Sequence, residues 1–333
     1  MGIPAIVTAG DRRAAKAIHG ESKPYLPIDD VPLVARVVEV LQAVPEVSEV
    51  WVVGDAGRLE TVFAAPERRG ALRKPLHVVP QFRNLYENAW ETYRRLLPGA
   101  GPQGRDPAPG ERLVVLYLSA DLPFATPQEI SAFVRQGLAL DCDYALGLCT
   151  EESMRAFYPE TPGGPGIRMA YFNLREGRFR QSNLHLVRPA RLGNRRYVEE
   201  MYEHRYQKQV GQMIALAWRL LRIEGGGLAI LLDYVLMQAA SIADRWGLAR
   251  LADALRRRIP IERVERRVGR LLRADFHLVV TEAGGCAVDL DNEHDYDAAR
   301  ARFAAWREAQ RRRAEALYGP LPLARDAEPA RQR

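Results

Sequence analysis

Three stretches of this chain set chemically capable side chains just beyond apolar runs. The first is residues 5–28, AIVTAGDRRAAKAIHGESKPYLPI. A strand-like run ends in Ala9-Gly10, a loop holding Asp11, Arg12, Arg13 and Lys16 follows, and Lys23-Pro24 closes it. A glycine at such a turn lets backbone N–H groups approach a triphosphate, and nearby cations neutralise it. Lysine occurs only at 16, 23, 74 and 208; arginine supplies the rest of the 48 basic residues. Two of the four lysines fall in this loop, where a compact ammonium fits beside a reacting phosphate. Alone, the segment reads equally well as a solvated basic turn.

The second stretch is residues 113–124, LVVLYLSADLPF, which places Asp121 just past a strongly apolar run. A carboxylate there suits Mg²⁺, which takes few protein oxygens and fills its shell with phosphate oxygens. The plainer reading is a turn or N-cap aspartate. The third is residues 287–296, AVDLDNEHDY. If residues 287–290 form a strand, Asp289 and Asp291 project to one side, and one or both can complete a metal site. Asp295 and Asp297 are read as favourable charge in a first helical turn.

The elements that must position these groups alternate. Residues 3–8, 50–53, 76–79, 113–118 and 144–149 are continuous apolar runs, read as buried strands. Between them, residues 32–44 and 85–97 repeat apolar residues at helical spacing, and Thr126-Pro127-Gln128-Glu129 opens another helix with a capping box. This alternation predicts an α/β fold whose mostly parallel sheet is covered on both faces. In such sheets, ligands bind past the carboxyl ends of the strands, where the loops above lie. Beyond residue 151 the character changes. Residues 167–174 and 183–187 read as strands, residues 197–259 are helical in pattern around Gly225-Gly226-Gly227, residues 276–281 and 287–290 return to strand, and a helix follows from 293.

In order, AIVTAG, SKPYLPI, PLVARVVEVLQ, VSEVWVVGD, SADLPF and VDLDNEHDY make the chain resemble the nucleotidyltransferase superfamily of molybdenum cofactor guanylyltransferase-like and sugar-nucleotide pyrophosphorylase-like enzymes. The resemblance covers about residues 3–150 and 275–305. It implies a Rossmann-related, GT-A-like fold with a large, largely helical insert. It also implies Mg²⁺-dependent joining of a nucleoside triphosphate to a phosphorylated small-molecule acceptor, with release of pyrophosphate. On it, residues 1–150 are the nucleotide-binding part of the core and 151–270 an acceptor-binding, helical insert. Residues 271–313 return to the core with the second metal carboxylate, and 314–333 are a mobile tail.

Carried over by position, Ala9, Gly10 and Asp11 match the phosphate loop and Lys23 the lysine before the KPxLP stretch. Asp121 matches the metal-binding aspartate, and Asp289 or Asp291 the second carboxylate. The loop departs from the family's A-A-G-x-G-x-R in lacking its second glycine, which leaves open which of Arg12, Arg13 and Lys16 meets the phosphates beside Lys23. The attacking phosphate is already an anion and needs no general base, which agrees with six scattered histidines; His19 is read as structural or solvated. Gln81 is the candidate for base recognition, while Asn84 and Asn88 either serve that role or cap a helix. Arg180 and Asn183 are the candidate acceptor contacts, with a surface ion pair as the alternative for Arg180. Two rival functions stand beside this one: a GT-A-type glycosyltransferase, and a non-catalytic nucleotide-binding protein of the same fold.

Composition narrows the field further. A chain of 333 residues fits two domains or one enlarged α/β domain. At 47% hydrophobic and 27% charged it is no disordered, collagen-like or coiled-coil sequence. The net charge of +6 comes with acidic and basic residues interleaved, so nucleic acid is an unlikely partner. Cys142, Cys149 and Cys286 are too scattered for a disulfide framework or a zinc site. With no signal-like start, no myristoylation pattern at Gly2 and no apolar run of membrane-spanning length, a cytoplasmic location is expected. The helices of residues 197–259 carry apolar faces that read as core, or as a peripheral membrane contact flanked by Arg219, Arg222 and Arg245.

Overall fold

The computed structural model describes residues 2–11, 17–161, 163–195 and 227–321. Its first half alternates as the sequence predicts. Strand β1 (Ile3–Ala9) leads through the short hairpin β2 (Pro27–Ile28) and β3 (Val31–Pro32) to helix α1 (Leu33–Gln42). Then come β4 (Val47–Gly54), α2 (Ala56–Ala64), α3 (Pro66–Arg69), β5 (Leu76–Pro80), α4 (Leu85–Leu96), β6 (Val115–Ser119), α5 (Pro127–Ala139) and β7 (Tyr144–Thr150). The second half holds α6 (Glu151–Met154), β8 (Phe172–Leu174), β9 (Gly177–Val187), α7 (Gly227–Arg245), α8 (Ala249–Arg256), α9 (Ile261–Leu272), β10 (Phe276–Thr281) and α10 (Glu293–Tyr318).

Eight strands make one sheet in the order β10-β7-β9-β6-β1-β4-β5, with β8 paired to β9. Strands β6, β1, β4 and β5 are mutually parallel, as are β7 and β10, whereas β9 runs antiparallel between β6 and β7. This is a Rossmann-like, mostly parallel α/β architecture. Alternation along β1 explains its double burial: Ala5, Val7 and Ala9 pack beneath Val34, Val37 and Val38 of α1, and Ile6 faces Tyr93 and Leu97 on the α4 side. Side-chain oxygens of Asp55, Asn84, Thr126 and Asn292 accept backbone N–H groups at the starts of α2, α4, α5 and α10. Asn84 is thus a cap.

Four expectations need correcting. Strand within residues 167–174 is confined to β8, because the Ile167 N–H goes to the Phe157 carbonyl at 2.8 Å rather than to a neighbouring strand. The strand expected from Asn183 starts at Gly177, where it turns back from β8. Residues 287–290 form no strand. A 3₁₀ turn spans Gly285–Ala287, and the N–H groups of Gly284 and Cys286 are taken by the Glu129 carboxylate at 2.9 and 3.1 Å. Last, α10 continues through residues 314–318 before Gly319. Ala314 is buried, and the Tyr318 hydroxyl accepts the Glu282 N–H at 2.8 Å. The expected helices within residues 197–226 lie outside the described residues. In α7, Leu236 and Met237 pack toward β8 and β9, while Leu232, Val235 and Trp246, just past its end, are exposed.

Candidate active site

Because β1, β4, β5 and β6 are parallel, the residues following them gather along one edge of the sheet: Gly10 and Asp11, Asp55, Gln81, then Asp121. Antiparallel β9 begins at that edge, where Arg180 pairs with Cys149 near the end of β7. The segment after β10 returns there with Asp289 and Asp291. Ion pairs then tie Lys23, Asp121, Asp289, Asp291 and Arg180 into one cluster at that end of the sheet.

Asp121 is the centre of the acidic group. It is buried, and the Ser119 hydroxyl donates to its Oδ1. Burial first, and the Asp289 charge second, push its pKa up to about 6, against the opposing pull of Lys23 and Ser119. The Lys23 ammonium lies 2.7 Å from Asp291 Oδ1 and 3.7 Å from Asp121 Oδ2. Burial lowers the Lys23 pKa, but Asp121, Asp291 and Asp289 outweigh it and hold the group above its ordinary value. Arg180 donates through Nη2 to Asp289 Oδ1 at 2.6 Å and through Nε to the Ala287 carbonyl at 2.7 Å. Asp291 is mostly exposed, and among the described residues no group of three or more His, Cys, Asp or Glu is arranged to hold a metal.

The pKa of Asp121 has a consequence for stability. Its folded value lies above its unfolded value of about 4, so the folded chain binds more protons between those limits. The contribution of this group is fully present below about pH 4 and is lost as pH rises toward 6. We expect the thermal midpoint, followed by calorimetry, to carry a component that falls between pH 4 and 6. Asp121→Asn is expected to lack that component.

The other wall of the crevice is the phosphate-loop side. Asp11 and Gln81 lock together: the Asp11 N–H donates to Gln81 Oε1 at 3.0 Å, and Gln81 Nε2 donates to Asp11 Oδ1 at 2.6 Å. Gly10 packs against the same wall, where an added Cβ would come within 2.9 Å of Asn88 Nδ2. Asn88, itself buried, accepts the Phe82 N–H at 2.6 Å, so it supports the loop beyond Gln81. Ala9 is the last residue of β1, buried against its neighbours. Arg12, Arg13 and Lys16 lie outside the described residues. Asn183 falls where β9 bulges against β7, and among the described residues it has no side-chain hydrogen bond. His19 bonds Asp297 at 2.9 Å on the surface.

Sequence reasoning missed Arg58 and Tyr25. Arg58, in the first turn of α2, stacks 3.7 Å over the Tyr25 ring and pairs with Glu21 at 2.9 Å and Asp11 at 3.9 Å. The signal was available in Gly54-Asp55-Ala56-Gly57-Arg58, a strand end running into a capped helix. The role of Ser119, two residues before Asp121, was equally readable.

Fold and crevice together define a Rossmann-like α/β protein with an acidic and basic cluster past the carboxyl ends of its parallel strands. The fold is similar to that of a structure described as a hypothetical transferase from Thermus thermophilus. The two are 23% identical with a TM-score of 0.58, over 89% of this chain and 99% of that one. Two more distant structures also align. One is a CMP:2-keto-3-deoxy-manno-octonic acid synthetase complexed with CTP, at 15% identity and TM-score 0.43 over 91% of this chain and 98% of that one. The other is a 4-diphosphocytidyl-2C-methyl-D-erythritol synthase from Anaerococcus prevotii, at 12% identity and TM-score 0.43 over 91% and 96%. No protein-family model matches the chain, and no curated protein matches it. Among the described residues no helix is long and apolar enough to cross a membrane.

Proposed function

We propose that this chain is a nucleotidyltransferase that joins a nucleoside triphosphate to a phosphorylated small molecule and releases pyrophosphate. The observation that carries the reading is the meeting of Asp121 with Asp289, Asp291 and Lys23, from three separated stretches of sequence. The chemistry fits a divalent cation. Asp121 and Asp289 are hard oxygen donors, and Asp121 holds its proton more tightly than usual because burial and Asp289 crowd negative charge. Mg²⁺ bound by these two carboxylates would offset charge on the α-phosphate and on the departing pyrophosphate.

The chain's own groups supply the rest. The turn at Gly10 would let the triphosphate lie close to the backbone, and the Asp11 N–H would join it once Gln81 releases that group. Lys23, fixed by Asp291, sets a positive charge beside Asp121, and the sequence of the loop offers Arg12, Arg13 and Lys16 as further phosphate contacts. One acceptor phosphate oxygen attacks the α-phosphorus in line; the bond to the bridging oxygen breaks and its electrons leave with pyrophosphate. Positioning and charge stabilisation supply the rate. Arg180, held by Asp289, would reach the acceptor phosphate only by sharing its guanidinium, and Asn183 stands beyond it on the same strand.

The test is pyrophosphate release from each of the four nucleoside triphosphates with Mg²⁺ and a panel of phosphorylated sugars, polyols and pterins. Turnover with one pair is the expected result; tight triphosphate binding with no turnover on any acceptor would instead favour a binding protein. Lys23→Met is expected to lower kcat about a hundredfold. It should also raise the pKa of Asp121 further, since Lys23 is what lowers it. An acid limb of the pH–rate profile shifted to higher pH would show this.

A further inference from the structure

A buried carboxylate outside the proposed chemistry lies eight residues beyond Asp121 in the sequence. Glu129 lies in the first turn of α5 and is fully buried. Its sequence suggests half of a capping box, and its own N–H does reach Thr126 Oγ1 at 3.4 Å. The side chain turns the other way. Oε1 accepts the Thr281 hydroxyl at 2.8 Å and the Gly284 N–H at 2.9 Å, and Oε2 accepts the Cys286 N–H at 3.1 Å. Cys149 Sγ stands 3.5 Å from Oε1. Among the described residues no cation forms an ion pair with Glu129, so donors alone compensate this buried group. Burial pushes the Cys149 and Cys286 thiols up, which keeps both neutral. A carboxylate so placed is costly to bury unless every lone pair is used.

What those donors belong to gives the arrangement its meaning. Thr281 ends β10, and Gly284 and Cys286 form the turn leading to Asp289. The same turn touches the segment that carries Asp121: an ideal Cβ on Gly285 would fall 1.9 Å from the Phe124 carbonyl oxygen. Beyond the turn, Arg180 holds Ala287 and Asp289. Residues 119–129 therefore contribute both Asp121 and the anchor for the stretch bearing its partner carboxylate.

We propose that Glu129 is a positioning residue: it pins the turn of residues 284–286 and thereby fixes Asp289 opposite Asp121. The inference rests on the reading of Asp121 and Asp289 as a divalent-cation site. The test is Mn²⁺ titration of the full chain, followed by the loss of the free-ion electron paramagnetic resonance signal well below the thermal midpoint. Glu129→Gln puts an amide N–H₂ against a backbone N–H at one of its two anchored contacts. It is expected to weaken Mn²⁺ binding about tenfold or more, the effect of losing a group that orients a ligand. If that variant does not fold, Thr281→Val removes one donor and is expected to weaken binding about threefold. A variant that melts earlier yet binds Mn²⁺ as the unmodified chain does overturns the proposal and leaves Glu129 purely structural. An unmodified chain that binds no Mn²⁺ overturns the metal reading, and this proposal with it.

Discussion

Asp121→Asn is expected to reduce pyrophosphate formation by roughly a thousandfold or more while leaving the thermal midpoint unchanged or raised. The two halves of this result come from one cause. Burial of Asp121 first, and the neighbouring Asp289 charge second, lift its pKa to about 6. An amide of the same shape removes the repulsion and the desolvation of a charge, and its oxygen still accepts the Ser119 hydroxyl. Lys23 loses a contact at 3.7 Å but keeps Asp291 at 2.7 Å. Strain kept for function and released by a neutral substitution is a recurrent stability–activity trade-off. Asp291→Asn is the comparison: its side chain is 62% exposed, so we expect about a tenfold loss of rate and little change in stability. Steady-state pyrophosphate release and calorimetry on the two variants measure the order. Equal losses in both, or full activity in Asp121→Asn, would show that Asp121 is not the central ligand.

The strands that carry Asp121 and Gly10 were legible because they are buried on both faces and so read as unbroken apolar runs. The bounds expected for residues 276–281 and those of β10 coincide, although this strand lies at the edge of the sheet and is only partly buried. Pairing across long separations was not legible. Nothing local in residues 177–187 says that β9 inserts antiparallel between β6 and β7, because that choice is made by partners some 30 to 70 residues away. The acidic segment was misread for a related reason. Residues 287–290 have strand-like alternation, but the preceding amide groups are claimed by Glu129, more than 150 residues earlier. Glu129 in turn looks like a local capping residue and does distant work. Gln81 is similar: its amide is engaged by Asp11, a departure from the glycine-rich loop pattern, so any reading of a base by Gln81 requires that pair to open.

The second large effect follows from the contact between those two segments. Gly285→Ala is expected to destabilise the chain by about 3 kcal/mol or more, lowering the midpoint by roughly 5–10 °C. Gly285 needs no left-handed backbone; what it needs is room. The new methyl would lie 1.9 Å from the Phe124 carbonyl oxygen and 2.8 Å from its carbon. Phe124 cannot withdraw, because its ring is enclosed by Phe157, Phe303 and Trp306 with centroids 5.2, 5.8 and 5.5 Å away. Nor can the turn withdraw without breaking the Glu129 bonds at Gly284 and Cys286. Gly101→Ala is the control, since nothing stands within 4 Å of its added carbon; it should change stability by less than about 0.5 kcal/mol. If Gly285→Ala melts within a degree of the unmodified chain, the two segments are not locked together. Asp289 would then owe its place opposite Asp121 to Arg180 alone, and Arg180→Ala should disperse the acidic pair without help from any change at residue 129.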